Sequence, residues 1–94
     1  MIATFQHKGL EEFFYTGNTR GINPQQATRL RVRLDAMNAA TDPAQLNRPG
    51  WNLHQLHGDR HGTWSIAVNG PWRLTFRWDN DNQNCLGVDY EQYH

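Results

Sequence analysis

The sequence has a single cysteine, Cys85, so no internal disulfide can form and a reducing compartment suits the chain. Its opening residues, "MIATFQHKGLEEFF", lack the apolar run of a signal peptide or a membrane span, and the expected location is the cytoplasm. There is no surplus of charge, because nine Lys and Arg balance nine Asp and Glu. A neutral total argues against a protein that grips nucleic acid by bulk charge alone. Repeats, linkers and low-complexity segments are also missing, and 94 residues are expected to form one domain, 1–94. Bulky side chains are plentiful: four Trp, four Phe and three Tyr make a core feasible at 37% hydrophobic residues.

The charges are unevenly spread. Arg20, Arg29, Arg31 and Arg33 lie within 20–33 with no acid among them. Residues 48–77 hold Arg48, Arg60, Arg73, Arg77 and three histidines against Asp59 alone. Acids gather at Glu11, Glu12, Asp79, Asp81, Asp89 and Glu91. A neutral total can therefore hide a basic face; the plainer alternative is a helix with solvated arginines.

Periodicity supplies the elements. "IATFQH" is β-rich and predicts a short first strand over 2–7. Leu10, Phe13 and Phe14 then recur at helical spacing, with Gly17 as a stop. Asn23-Pro24 is a helix start, and Ala27, Leu30, Leu34 and Met37 form its apolar stripe. Asp42-Pro43 opens a further short turn. Beyond Gly62 the period falls to two. Trp64, Ile66 and Val68, then Trp72, Leu74, Phe76 and Trp78, alternate with polar or small residues around Asn69-Gly70-Pro71. That is a hairpin with one buried face, and Leu86, Val88 and Tyr90 extend it to a third strand. In "NLHQLHG" (52–58), Leu53 and Leu56 break alternation, so a bulge or an early strand end is expected there. The order predicts an α+β fold with helices on one face of a small antiparallel sheet.

If Trp72, Leu74 and Phe76 face the helices, Arg73 and Arg77 stand on the open face and Asp89 shares it. Guanidinium offers a fixed fork of donors to phosphate oxygens, so this face suits phosphate; simple solubility is the competing reading. His54, His57 and His61 have a spacing that shares a face on a helix, but they sit in a strand-like stretch without a cysteine or fourth ligand, which disfavours zinc. His54, Arg73, Tyr93 and His94 suggest other chemistry. RNA cleavage without metal needs a base for the ribose 2′-OH, an acid for the leaving 5′-oxygen and a cation for the phosphorane. Histidine titrates near neutral pH and suits both proton transfers, arginine supplies the charge, and tyrosine orients a phosphate or stacks on a base.

Three stretches, "FQHKGLEEFF", "LNRPGWNLHQLHGDRHGTWSIAVNGPWRLTFRW" and "VDYEQYH", closely resemble HigB-type toxins of the RelE/ParE superfamily, and together they span nearly the whole chain. The resemblance implies two N-terminal helices packed on one face of a small twisted antiparallel sheet. It also implies cleavage of mRNA in the ribosomal A site without metal or cofactor, leaving a 2′,3′-cyclic phosphate. By position, His54 and His94 match the family's catalytic histidines, and Tyr93 and Arg73 match residues that contact the scissile phosphate. The closing residues are thus expected to be held in place by the site rather than frayed. Contacts to RNA are expected from His57, Arg60, Arg77 and Gln92, although Arg60 has Asp59 beside it as an alternative partner. The partners implied are a HigA-type helix-turn-helix antitoxin, the ribosome with its rRNA, and mRNA. Operator DNA is reached only through the antitoxin complex, and no membrane is involved.

Two positions depart from the family pattern. His57 stands where lysine is common, and Gln92 where aspartate is common, which puts the proton-transfer roles in doubt and leaves the expected work to His54 and His94, with Arg73 supplying the charge. If protonated His57 serves as the cation, activity falls at higher pH and His57→Lys flattens that fall. The alternative is a non-cleaving toxin on the same scaffold, either a ParE-like target inhibitor or a co-repressor with its antitoxin. Trp64, Trp72 and Trp78 read as core, Trp51 as surface packing with base stacking as the other option, and Cys85 has no assigned function.

Overall fold

The computed structural model describes residues 1–92, and Tyr93 and His94 lie outside the described residues. Helix α1 (Lys8–Thr16) begins at His7, whose ring Nδ1 accepts a hydrogen bond from the Leu10 N–H at 2.9 Å. It ends at Gly17, which takes the left-handed conformation (φ +80°) and donates its N–H to the Phe13 carbonyl. The Asn23 side chain accepts from the Gln25 N–H at 3.1 Å, as its position before Pro24 predicts. The first turn, Pro24–Gln26, is 3-10 helix, and helix α2 proper spans Ala27–Ala39. Leu30, Leu34 and Met37 of its stripe are fully buried. Asp42 caps a further 3-10 turn, Pro43–Leu46, which buries Leu46.

The sheet is antiparallel, in the order β1 (His54–Gln55), β2 (Thr63–Asn69), β3 (Trp72–Asp79) and β4 (Asn84–Gln92). The conflict between Leu53 and Leu56 is resolved by shortness: β1 makes only two pairs before the chain turns at Gly58–Arg60. The strand expected over 2–7 is not a ladder strand. It is an extended segment joined to β4 by two isolated parallel bridges, Ile2–Cys85 and Phe5–Val88. Helix side chains Leu10, Phe13, Leu30 and Leu34 meet Ile66, Leu74, Phe76 and Val88 from the sheet in one buried cluster. Trp64, Trp72 and Trp78 are only half-buried at its margin, and Trp72 stacks on Tyr90 with centroids 4.5 Å apart. Trp51, read as a surface residue, belongs to the core: it is 6% exposed and flanked by the guanidiniums of Arg33 and Arg48 at 4.8 and 4.9 Å.

Of the three α2 arginines Arg29 is exposed, while Arg31 and Arg33 are drawn back onto the fold. Arg31 donates to the Phe13 and Phe14 carbonyls at 2.8 and 3.2 Å, placing a cation at the C-terminal end of α1, whose own last turn has none. Arg33 is buried and donates Nε–H to the Ala67 carbonyl at 2.7 Å, tying α2 to β2; burial, with Arg29 nearby, pulls its pKa down. The Cys85 thiol is buried beside the Met37 carbonyl, and burial pushes its pKa up to about 12, so it is chemically quiet. No helix among the described residues is long and apolar enough to cross a membrane.

Candidate active site

Strand register assembles the site. His54 pairs with Ser65, Ser65 with Thr75, and Thr75 with Asp89, so these residues form one row across the sheet on the face away from the helices. The next row is Ala67, Arg73 and Glu91. Arg73 and Asp89 therefore share this face, as alternation predicts. The face is less open than expected, because Ser65 and Thr75 are 0% and 1% exposed beneath longer side chains.

Those side chains hold one another. Arg73 Nη1 donates to Ser65 Oγ at 3.1 Å. Thr75 Oγ1 donates to Glu91 Oε2 at 2.6 Å. Arg60, on the 3-10 turn between β1 and β2, reaches across to Glu91 with both terminal nitrogens, at 2.6 and 2.8 Å. Its partner is thus Glu91 and not its neighbour Asp59. The Arg60 hydrogen bond holds the Glu91 carboxyl below the usual carboxylate range against the opposing effect of burial, with help from Thr75 and the charge of Arg73.

His54 is half-buried, and its Nδ1 lies 2.8 Å from the Asn52 carbonyl. A carbonyl oxygen only accepts, so Nδ1 carries the proton and the lone pair of the neutral ring is on Nε2. Asn52 itself has φ +48°, a left-handed conformation that asparagine tolerates and that turns its carbonyl toward the ring.

A concavity of about 500 Å³ is lined by His54, Gln55, Leu56, His57, Arg60, Glu91 and Gln92. Beside it lies a smaller one of about 240 Å³, sharing Arg60 and carrying Thr75, Arg77, Gly87 and Asp89. Arg77 belongs here because β4 bulges at Gly87 (φ +61°): Thr75 pairs with Asp89 but Arg77 with Leu86, so Gly87 and Val88 together stand against Phe76 alone. His54, His57, Arg60 and Gln92 are thus brought together, Arg73 adjoins them through Glu91, and Arg77 is one concavity away. The expected contributions of Tyr93 and His94 fall outside the described residues. A third hollow, of about 350 Å³ between Asp42, Trp64 and Trp78, has neither histidine nor arginine in its wall.

Among the described residues no three His, Cys, Asp or Glu side chains converge as a metal-ligand set. His57 and His61 flank the 3-10 turn on either side, while His54 lies on β1. Glu91 and Thr75 are the residues that sequence reasoning passed over. Alternation with Val88 and Tyr90 puts Glu91 on the Arg73 face, but nothing local signals its bond to Arg60, 31 positions away.

The fold and site define a small α+β domain whose helix-free sheet face gathers histidine, arginine and a buttressing carboxylate. The chain belongs to the HigB-like toxins, RelE-like toxins of type II toxin–antitoxin systems, whose family model matches residues 3–94. A relative from Proteus vulgaris, Endoribonuclease HigB, is 45% identical over 94 residues, covering 100% of both chains. As a type II toxin, the protein has an antitoxin for a partner.

Proposed function

We propose that this toxin is a ribosome-dependent endoribonuclease that cuts mRNA in the A site by attack of a ribose 2′-OH on the adjacent phosphorus. His54 carries the reading. With Nδ1–H fixed on the Asn52 carbonyl, Nε2 faces its task as a base with a defined lone pair, at the wall of a concavity that also holds Arg60 and His57. His54 takes the 2′-OH proton while His94 protonates the departing 5′-oxygen, so the products are a 2′,3′-cyclic phosphate and a free 5′-hydroxyl. Arg73 stabilises the charge that develops on the phosphorane, and Tyr93 orients the phosphate. His57, Arg60, Arg77 and Gln92 contact the RNA around the cut. A HigA-type helix-turn-helix antitoxin neutralises the toxin in the cytoplasm, and operator DNA is met only through that complex. The single domain 1–94 needs no cofactor for this reaction.

The test uses purified ribosomes carrying a defined mRNA with a chosen codon in the A site. Wild type is expected to cut within that codon only when ribosomes are present, and His94→Ala to lose about 10²–10⁴-fold in rate, the usual contribution of an acid or base. An intact message with wild type over a range of A-site codons overturns the reading.

A further inference from the structure

We propose that Glu91 is a positioning residue for cleavage: anchored by Thr75, its carboxylate clamps Arg60 and thereby holds the 56–62 loop, with His57, against β4. The inference rests on the nuclease reading above and adds to it a residue that touches neither RNA nor the reacting atoms.

The loop needs such a clamp. β1, from which it leaves, makes only two pairs with β2, His54–Ser65 and Gln55–Trp64. Within the loop the backbone bonds are Leu56 N–H to the Thr63 carbonyl at 2.8 Å and His61 N–H to the Gly58 carbonyl at 3.1 Å. Both lie on the β1–β2 side and neither reaches β4. The Arg60–Glu91 pair does: its two parallel bonds of 2.6 and 2.8 Å fix distance and angle together, which a single contact would not. The third bond, from Thr75 Oγ1 at 2.6 Å, arises from a hydroxyl that is itself buried in the centre of the sheet. The clamp is therefore rooted in the rigid part of the fold and grips the weakly tethered part. It spans the larger concavity, with His54 and His57 on one bank and Glu91 and Gln92 on the other.

Two other roles for Glu91 fit less well. A general base needs a lone pair open to substrate and a raised pKa, whereas both Glu91 oxygens accept strong hydrogen bonds and the carboxyl is held low by Arg60. An isolated surface ion pair would be mobile and nearly without effect, but the Glu91 side chain is only 26% exposed and has three donors.

Single-turnover cleavage on programmed ribosomes, with saturating toxin, measures the consequence. Glu91→Gln is expected to lose about ten- to a hundredfold in rate, the scale of a misplaced catalytic group, with ribosome affinity unchanged. Thr75→Val should lose less, and the double variant no more than Glu91→Gln alone, because both act through one clamp. Amide hydrogen exchange gives a readout independent of catalysis: Leu56 and His61 should exchange faster in Glu91→Gln while α1 and α2 remain protected. Arg60→Gln, altered at an exposed side chain, should reproduce that exchange pattern in a folded protein. Wild-type cleavage rates in Glu91→Gln overturn the proposal, as do slowed cleavage with unchanged loop exchange and losses that multiply in the double variant. A wild type that cuts no message brings down the nuclease reading itself, an outcome distinct from a wild type that cuts and a Glu91→Gln that cuts equally well.

Discussion

Glu91 also ties the fold to pH. Its carboxyl is shifted below the ordinary 4.5, chiefly by the Arg60 hydrogen bond, so ionisation is easier in the folded than in the unfolded chain. The stabilisation is therefore complete above the unfolded value and is lost as pH falls through the lower, folded value. Glu91→Gln is expected to be less stable than wild type at pH 7 by about 1 kcal/mol, the scale of a well-formed ion pair at the surface. The two urea curves should converge as the pH drops below the ordinary carboxylate range. A gap that persists at acid pH would assign the loss to packing rather than charge. At this scale alternation placed Arg73 and Asp89 on the face they occupy, and His54 joins it through β1. It failed for Leu86, which its spacing groups with Val88 and Tyr90 but which pairs instead with Arg77 beyond the Gly87 bulge, while Cys85 is buried. The sequence was illegible wherever a long side chain chooses a partner. Arg60 had Asp59 beside it and went to Glu91, and Arg33, in a run that looked solvated, went to a strand carbonyl. Trp51 was misread for a related reason, since an aromatic outside any periodic stretch has no pattern to declare its burial.

At the scale of elements, two glycines let backbones meet with no room for a side chain. A Cβ on Gly21 would lie 2.4 Å from the Cα of Gly9, and one on Gly9 would lie 2.5 Å from the Gly21 carbonyl oxygen. Neither glycine has a positive φ, so closeness and not conformational freedom demands the missing side chain. The first turn of α1 thus rests on the turn that leads into α2. Gly21→Ala should push these apart and lower stability by about 1–3 kcal/mol, the usual cost of overpacking, seen as a lower urea midpoint with an unchanged slope. An unshifted midpoint would mean that the 18–23 turn moves freely. The helices themselves were legible because their apolar stripes and their caps, Gly17 and Asn23, are local. The 2–7 segment was half legible: β-rich residues specify extension, but whether an extended segment joins a ladder depends on a partner far along the chain.

For the molecule as a whole, that partner is the decisive fact. Segment 1–6 lies along β4, and Thr4 Oγ1 accepts from the Gly87 N–H, 83 positions later. β4 is also the partner of β3 and carries Glu91. Contacts this distant in sequence form late and slow folding. Ribosome-bound nascent chains ending at Asp79 should therefore be readily digested over residues 1–50 by a low dose of protease. The full sequence, extended by a flexible spacer so that β4 has emerged, should resist. Equal resistance of the two would show that the helices and hairpin fold without β4. The pairing of the first residues with the last strand also sets an order of events during synthesis. The residues made first thus wait, without their place in the fold, until the residues made last have left the exit tunnel.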